Sequence, residues 1–206
     1  IKAELSVFIE NESVKKMSKN IGFVSTRFAG TDGVTMEAGK WAHVLRQSGH
    51  QCFWFAGLLD RSPDRSFLVH EAFFGHEENT WINDRIFRRR DREPLVTQKI
   101  HALKLRIKAG LEDFIQKFSI DMLVCENALT IPMHVPLGLA LTELIAESQI
   151  PTLAHHHDFY WERTRFSVNA VQDYLRMSFP PNLPNIDHVV INSAAQEELA
   201  LRTGIS

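Results

Sequence analysis

The segment LAHHHDFYWERTRF, residues 153–166, sets His155, His156 and His157 directly before Asp158 and follows them with Tyr160, Trp161, Arg163 and Arg165. Imidazoles exchange protons near neutral pH and ligate metals, and the planar guanidinium fork binds carboxylates and phosphates. A metal centre needs ligands that converge. Along a strand, alternate residues face opposite sides, so His155 and His157 share a side and His156 does not. We therefore assign no metal here. Two readings stand: a polar active-site face with His157 and Asp158 at a strand end, and an arrangement in which one histidine is a satisfied core residue and the others are solvated.

The elements around this segment must place it. Pro151 opens a strand that runs into the histidines, Asp121 to Cys125 forms the strand before it, and Pro136 opens the helix between them, continuing to Glu147. Upstream, Ile21–Ser25 reads as a buried strand, Val34–Gln47 as a helix ended by Gly49, Gln51–Ala56 as the next strand and Phe67–Phe74 as a third. Ile100, Leu103, Ile107, Leu111, Phe114, Ile115 and Phe118 recur at helical spacing. A last strand, His188–Ile191, leads to Ser193-Ala-Ala-Gln196, a capping-box spacing at the start of the final helix. This alternation predicts an α/β fold with a doubly wound parallel sheet from residue 20 onward, behind a leading segment over residues 1–19.

In such a sheet, ligands sit outside the carboxyl ends of the strands. Three loops should open there: RFAGTDGV (27–34), ENALTIP (126–132) and the histidine segment. Gly30, Thr31, Asp32 and Gly33 lie at a helix start, where backbone amides can meet an anion, although the loop lacks both GxGxxG and the P-loop lysine. A glycine turn that only caps the helix reads equally from these residues.

Composition narrows the function classes. In 206 residues, 23 basic side chains against 25 acidic ones leave no global field for nucleic acid or an anionic membrane. The run RIFRRRDRE (85–93) is interleaved with acids and reads as a solvated helix face. No apolar run reaches the length of a membrane span and no signal-peptide pattern opens the chain, so a cytoplasmic location is expected and membrane association stays open. Cys52 and Cys125 lie inside apolar strands and are expected to be buried and reduced. No GxSxG elbow is present, so nucleophilic catalysis gains no support.

Taken in order, IGFVSTRFAGTDGVTMEAGKWAHVLRQSGHQ, NALTIPMHVPLGLAL, TLAHHHDFYWER and HVVINSAAQEELALRTGI resemble the N-terminal half of family 4 glycosyltransferases of the GT-B architecture. The resemblance implies a Rossmann-like acceptor-side domain of a retaining enzyme that moves a sugar from a nucleotide-sugar donor to an acceptor. The nucleotide would be held by a second, C-terminal Rossmann domain of the same polypeptide, whose acidic donor-binding motif is absent from this chain. The family's histidine falls on His157, as the catalytic residue, and its phosphate loop on Gly30 to Gly33, although the family often has two adjacent glycines where this chain has Gly-Thr-Asp-Gly. Asn127, Asp158, Tyr160, Trp161 and Arg163 would line the acceptor pocket; aromatic faces suit sugar rings, and Arg163 suits an anionic acceptor. Trp161 and Phe159 read equally as core residues. No cofactor beyond the nucleotide sugar is expected, and residues 1–206 alone should fold without transferring sugar. The alternatives are a non-catalytic binding or regulatory module of the same fold and a sugar-nucleotide epimerase.

Overall fold

The computed structural model describes residues 18–205. Six strands, β1 (Asn20–Val24), β2 (Gln51–Ala56), β3 (Ser66–Leu68), β4 (Met122–Glu126), β5 (Thr152–His156) and β6 (Ile186–Val190), form one parallel sheet. Their order is β3-β2-β1-β4-β5-β6, a Rossmann-like doubly wound arrangement. Parallel strands need covered crossovers and so are buried on both faces; Phe23 and Val24 in β1 and Leu123 to Cys125 in β4 meet that requirement as uninterrupted apolar runs. The chain winds outward from β1 to β3 and then crosses to β4 on the other side of β1. That reversal opens a crevice at the carboxyl ends of β1 and β4.

Helix α1 (Gly33–Gln47) covers one face, packing Ala38, Trp41, Ala42 and Leu45 against Phe23, Trp54 and Leu153. The opposite face is covered by α2 (Glu77–Ile86), α3 (Pro94–Phe118), α4 (Val135–Ser148) and α5 (Gln172–Ser178). In α3, buried Val96, Ile100, Leu103, Ile107, Leu111 and Phe114 recur at steps of three and four, which draws one apolar stripe down the helix. The chain closes with α6 (Ser193–Thr203), whose Leu199 packs with Phe159 and Ile205 in a smaller cluster. No helix among the described residues is long and apolar enough to cross a membrane.

Four features differ from the sequence reading. The third strand is shorter than Phe67–Phe74: after Leu68 the backbone turns through His70–Ala72, with Ala72 and Phe73 bonding back to Val69 and His70. A helix, α2, fills the interval between the third strand and the basic run, to which the sequence reading assigns no element; its buried Asn79, Ile82 and Ile86 share one side. The basic run is solvated but is not a helix face. The helix ends at Ile86 because Arg88 turns to φ 61° and donates its N–H to Val168 O, and Arg92 then pairs bidentately with Asp173. The last helix is capped by Asn192, whose side chain accepts the Ala195 N–H at 2.9 Å, not by Ser193. The leading segment falls outside the described residues up to residue 17; Lys19 already accepts the Gln51 N–H beside β2.

Gly138 makes the sharpest packing demand on α4. A Cβ there would lie 2.2 Å from Cζ of Phe179, whose ring is fully enclosed. Gly138→Ala is expected to destabilise the fold by about 1–3 kcal/mol through overpacking. The check is urea unfolding, with a lower midpoint and an unchanged slope.

Candidate functional site

The site begins with a carboxylate that has no access to solvent. Glu126 ends β4, one strand away from the histidines, and is fully buried. Its Oε2 accepts from Nδ1 of His155 at 2.9 Å and from Nε2 of His157 at 3.2 Å. The imidazole rings stand 4.5 Å apart, and Trp41 of α1 stacks on His155 at 4.6 Å. The β4 end is tied to β1 as well, because Ser25 Oγ donates to Glu126 O at 2.9 Å. His155 is buried, while the His157 side chain keeps 22% of its surface open.

His156 faces the other way, as the strand period requires. Its Nδ1 pairs with Thr130 Oγ1, and its Nε2 lies 2.8 Å from Nδ1 of His188. The second nitrogen of His188 donates to the Pro181 carbonyl. The tautomers follow from that end: His188 Nδ1 must accept, so His156 donates through Nε2 and takes the Thr130 hydroxyl proton at Nδ1. Both rings are thereby satisfied as neutral groups. Burial pushes His188 down to about 4 and His156 well below its ordinary value, where the neighbouring histidines add to the effect.

Asn127 holds the chain beyond β5. In a left-handed conformation (φ 58°), it donates its N–H to His155 O at 3.0 Å, accepts the His157 N–H at Oδ1 (3.2 Å) and donates from Nδ2 to Asp158 at 3.3 Å. Asp158 takes the Nε–H of Arg163. His157 and Asp158 line a 190 Å³ crevice against Asn192 and Ala195 at the start of α6. Tyr160 and Trp161 turn away from it into the wall of a larger cleft of about 570 Å³, bounded by Arg176 and Arg202. Trp161 stacks on buried Phe159 at 4.4 Å, and its Nε1 makes no hydrogen bond among the described residues. Phe159 is thus a core residue, whereas Trp161 is a partly open wall.

The glycine loop is built differently from a bare amide cradle. Gly30, at φ 81°, donates its N–H to Asp60 Oδ2 at 2.7 Å. Asp32 caps α1 by accepting the Thr35 N–H, and it pairs with Arg27 at 3.0 Å. Burial acts to raise the Asp32 carboxyl, but the Thr35 hydrogen bonds and the Arg27 guanidinium outweigh it and hold the group below the ordinary carboxylate value. Two carboxylates therefore occupy donors that an incoming phosphate would use. Thr31 and Gly33 remain exposed beside them.

Glu126, His155 and His157 bring three potential ligand atoms within 4.8 Å of one another. The strand-parity argument for these histidines holds, but it left out a third group supplied by β4. Tetrahedral ligation with bonds of about 2.0–2.1 Å would set ligands about 3.3 Å apart. The observed 2.9 and 3.2 Å are the lengths of N–H···O bonds. Glu126, Thr130 and His188 were not singled out from the sequence. The available signal was an ionisable residue closing the buried run MLVCE. Both cysteines are free and buried, and burial raises Cys52 to about 11 and Cys125 further, so neither is a ready nucleophile.

The chain is similar to two mannosylglucosylglycerate synthases. It is 29% identical over 193 residues to that of Petrotoga mobilis, covering 90% of this chain and 43% of the relative. It is 31% identical over 183 residues to that of Thermotoga maritima, covering 84% and 40%. The chain thus spans about two-fifths of the length of the curated relatives it matches. No family model matches it, and no solved structure does.

The buried histidines make stability depend on pH. His134 caps α4 by accepting the Leu137 N–H at Nδ1 and bonds Glu71 O through Nε2; burial lowers it to about 4, as it does His188. A base with a folded value below its unfolded one binds its proton more tightly when unfolded. Its contribution is complete above the unfolded value near 6.5 and is lost as pH falls toward 4, amounting to roughly 3 kcal/mol per site. Carboxylates held low, such as Asp173, give up theirs only below about pH 4. Denaturation titrations should therefore show stability flat between about pH 7 and 8 and falling between pH 6.5 and 5, with a weaker fall in His188→Gln.

Proposed function

We propose that this chain is the acceptor-side, Rossmann-like half of a retaining glycosyltransferase of the family 4, GT-B type, which moves a sugar from a nucleotide-sugar donor to an anionic acceptor. The donor nucleotide is held by a second Rossmann domain of the same polypeptide. The observation that carries this reading is His157, a partly open imidazole at the carboxyl end of β5, fixed through its ring by Glu126 and through its backbone by Asn127. The two relatives, both named as synthases of a mannosylated glucosylglycerate, support sugar transfer. Their length, more than twice that of the matched part, is consistent with a further domain.

Breaking the bond between a sugar and a diphosphate develops positive charge on the ring and negative charge on the leaving group. An enzyme gains most from dipoles placed in advance where that charge appears. His157 is the protein group that meets the donor sugar. Thr31 and Gly33, exposed beside the α1 cap, offer the nearest approach to the diphosphate, and no metal takes part. The acceptor lies on the Asp158 side. Its anionic group is met by Arg163: Asp158 takes the Nε–H and so leaves the Nη edge of the half-exposed guanidinium to a carboxylate. The glycerate in the name of the relatives' product carries such a carboxylate. Asn127 and Asp158 shape this edge, with Tyr160 and Trp161 on the cleft beyond it.

In the full-length enzyme, His157→Ala is expected to lower turnover by roughly a hundredfold or more, the loss typical of removing one positioned polar group that acts in the transition state. The melting temperature should fall only slightly. His156→Ala should show the converse, because it opens a satisfied buried chain. Turnover and melting of the two variants measured side by side test this pair; near-native turnover in His157→Ala refutes the role. For the acceptor, Arg163→Lys keeps the charge but loses the fork, so the acceptor KM should rise about tenfold while the donor KM stays put. Unchanged acceptor kinetics in Arg163→Ala would remove Arg163 from the site.

A further inference from the structure

A carboxylate sealed from water is costly unless donors satisfy it, and Glu126 receives two, both on Oε2. Its Oε1 makes no hydrogen bond among the described residues. The two donors differ in freedom. His155 is clamped between Trp41 and the carboxylate, so it acts as the anchor that makes burial of Glu126 tolerable. His157 is partly open, and its ring meets the carboxylate through Nε2 alone. A carboxylate accepts and cannot donate, so that contact puts the His157 proton on Nε2. In a neutral imidazole the other nitrogen is then an acceptor.

We propose that Glu126 is a positioning residue that holds His157 as the Nε2–H tautomer, so that Nδ1 faces the ligand as a hydrogen-bond acceptor and takes a bond from a hydroxyl of the bound sugar. The inference rests on the reading of His157 as the residue that meets the donor sugar. It adds which ring atom does so and what fixes it. A substrate hydroxyl donates to Nδ1, Nε2–H donates to Glu126, and no proton needs to leave either bond. A sugar lacking that hydroxyl loses the bond, so the pair selects for hydroxylated donors.

The test uses the full-length protein labelled with 15N-histidine, with two-bond 1H–15N spectra recorded near pH 8, where free imidazoles are neutral. His157→Ala identifies the His157 signals. In the wild type, His157 is expected as the Nε2–H form. In Glu126→Gln, which keeps the shape and loses the charge, a mixture of both tautomers is expected, with kcat down about a hundredfold and donor KM changed less than threefold. A wild-type His157 in the Nδ1–H form overturns the proposal whether or not the variant folds. An unchanged tautomer and kcat in Glu126→Gln overturns it as well. So does a stoichiometric divalent metal in the purified protein that Glu126→Gln releases, because the three groups would then be ligands. The underlying functional reading fails separately: full turnover in His157→Ala removes the sugar contact while leaving the tautomer result to stand or fall alone.

Discussion

The site depends on one constraint, the burial of the Glu126 carboxylate at the end of a central strand. An unpaired ion there would cost several kcal/mol. Its neighbours are arranged accordingly: two imidazole N–H groups come from the adjacent strand, the serine at the end of β1 bonds its backbone oxygen, and an α1 tryptophan pins the nearer ring. Together these contacts join β5, β1 and α1 to one point at the end of β4. The position of His157 is therefore set by packing across the sheet more than by its own loop.

The crossovers make this convergence possible. Because β4 and β5 are parallel and in register, with Glu126 opposite His155, both strands end on the same edge. An antiparallel neighbour would have sent one of the two groups to the far end of the sheet. The same register places Asn127 where its backbone continues the β4–β5 ladder into His155 O, and its side chain then caps the His157 N–H. A single left-handed residue thus turns the end of a strand into a bracket for the following segment. Asparagine tolerates that conformation better than other side chains do.

What could be read from the sequence follows the range of the interactions involved. Strands β1, β4 and β5 and the long helix α3 were legible because local periodicity marks them. The division of the histidines into two faces was legible for the same reason. Glu126 was not, because its partners lie 29 and 31 residues ahead and its place at the end of an apolar run does not by itself separate a buried acid from the first acid of a loop. The truncated β3 and the helix α2 were missed where tertiary contacts decide the outcome: Val168 captures the Arg88 amide, and Asn79 reaches the Met133 carbonyl 54 residues away. In the glycine loop, the residue types suggested free amides, while Asp60, 30 residues on, takes one of them.

The two faces of β5 show how one strand sustains opposite chemistries. On the α1 side, His155 and His157 meet an acid, and each ring has a nitrogen committed to it. On the other side, His156 and His188 meet a hydroxyl, one another and a carbonyl, a chain in which every proton is assigned without any charge. Moving the strand by one residue would exchange these surroundings, presenting His156 to Glu126 and turning His155 and His157 toward Thr130. Only one of those two rings could take the single hydroxyl, and the acid would lose one of its two donors. The run of three histidines is therefore not redundant. Its register is fixed by the number of donors that the buried carboxylate requires on one face and by the uncharged chain that closes the other.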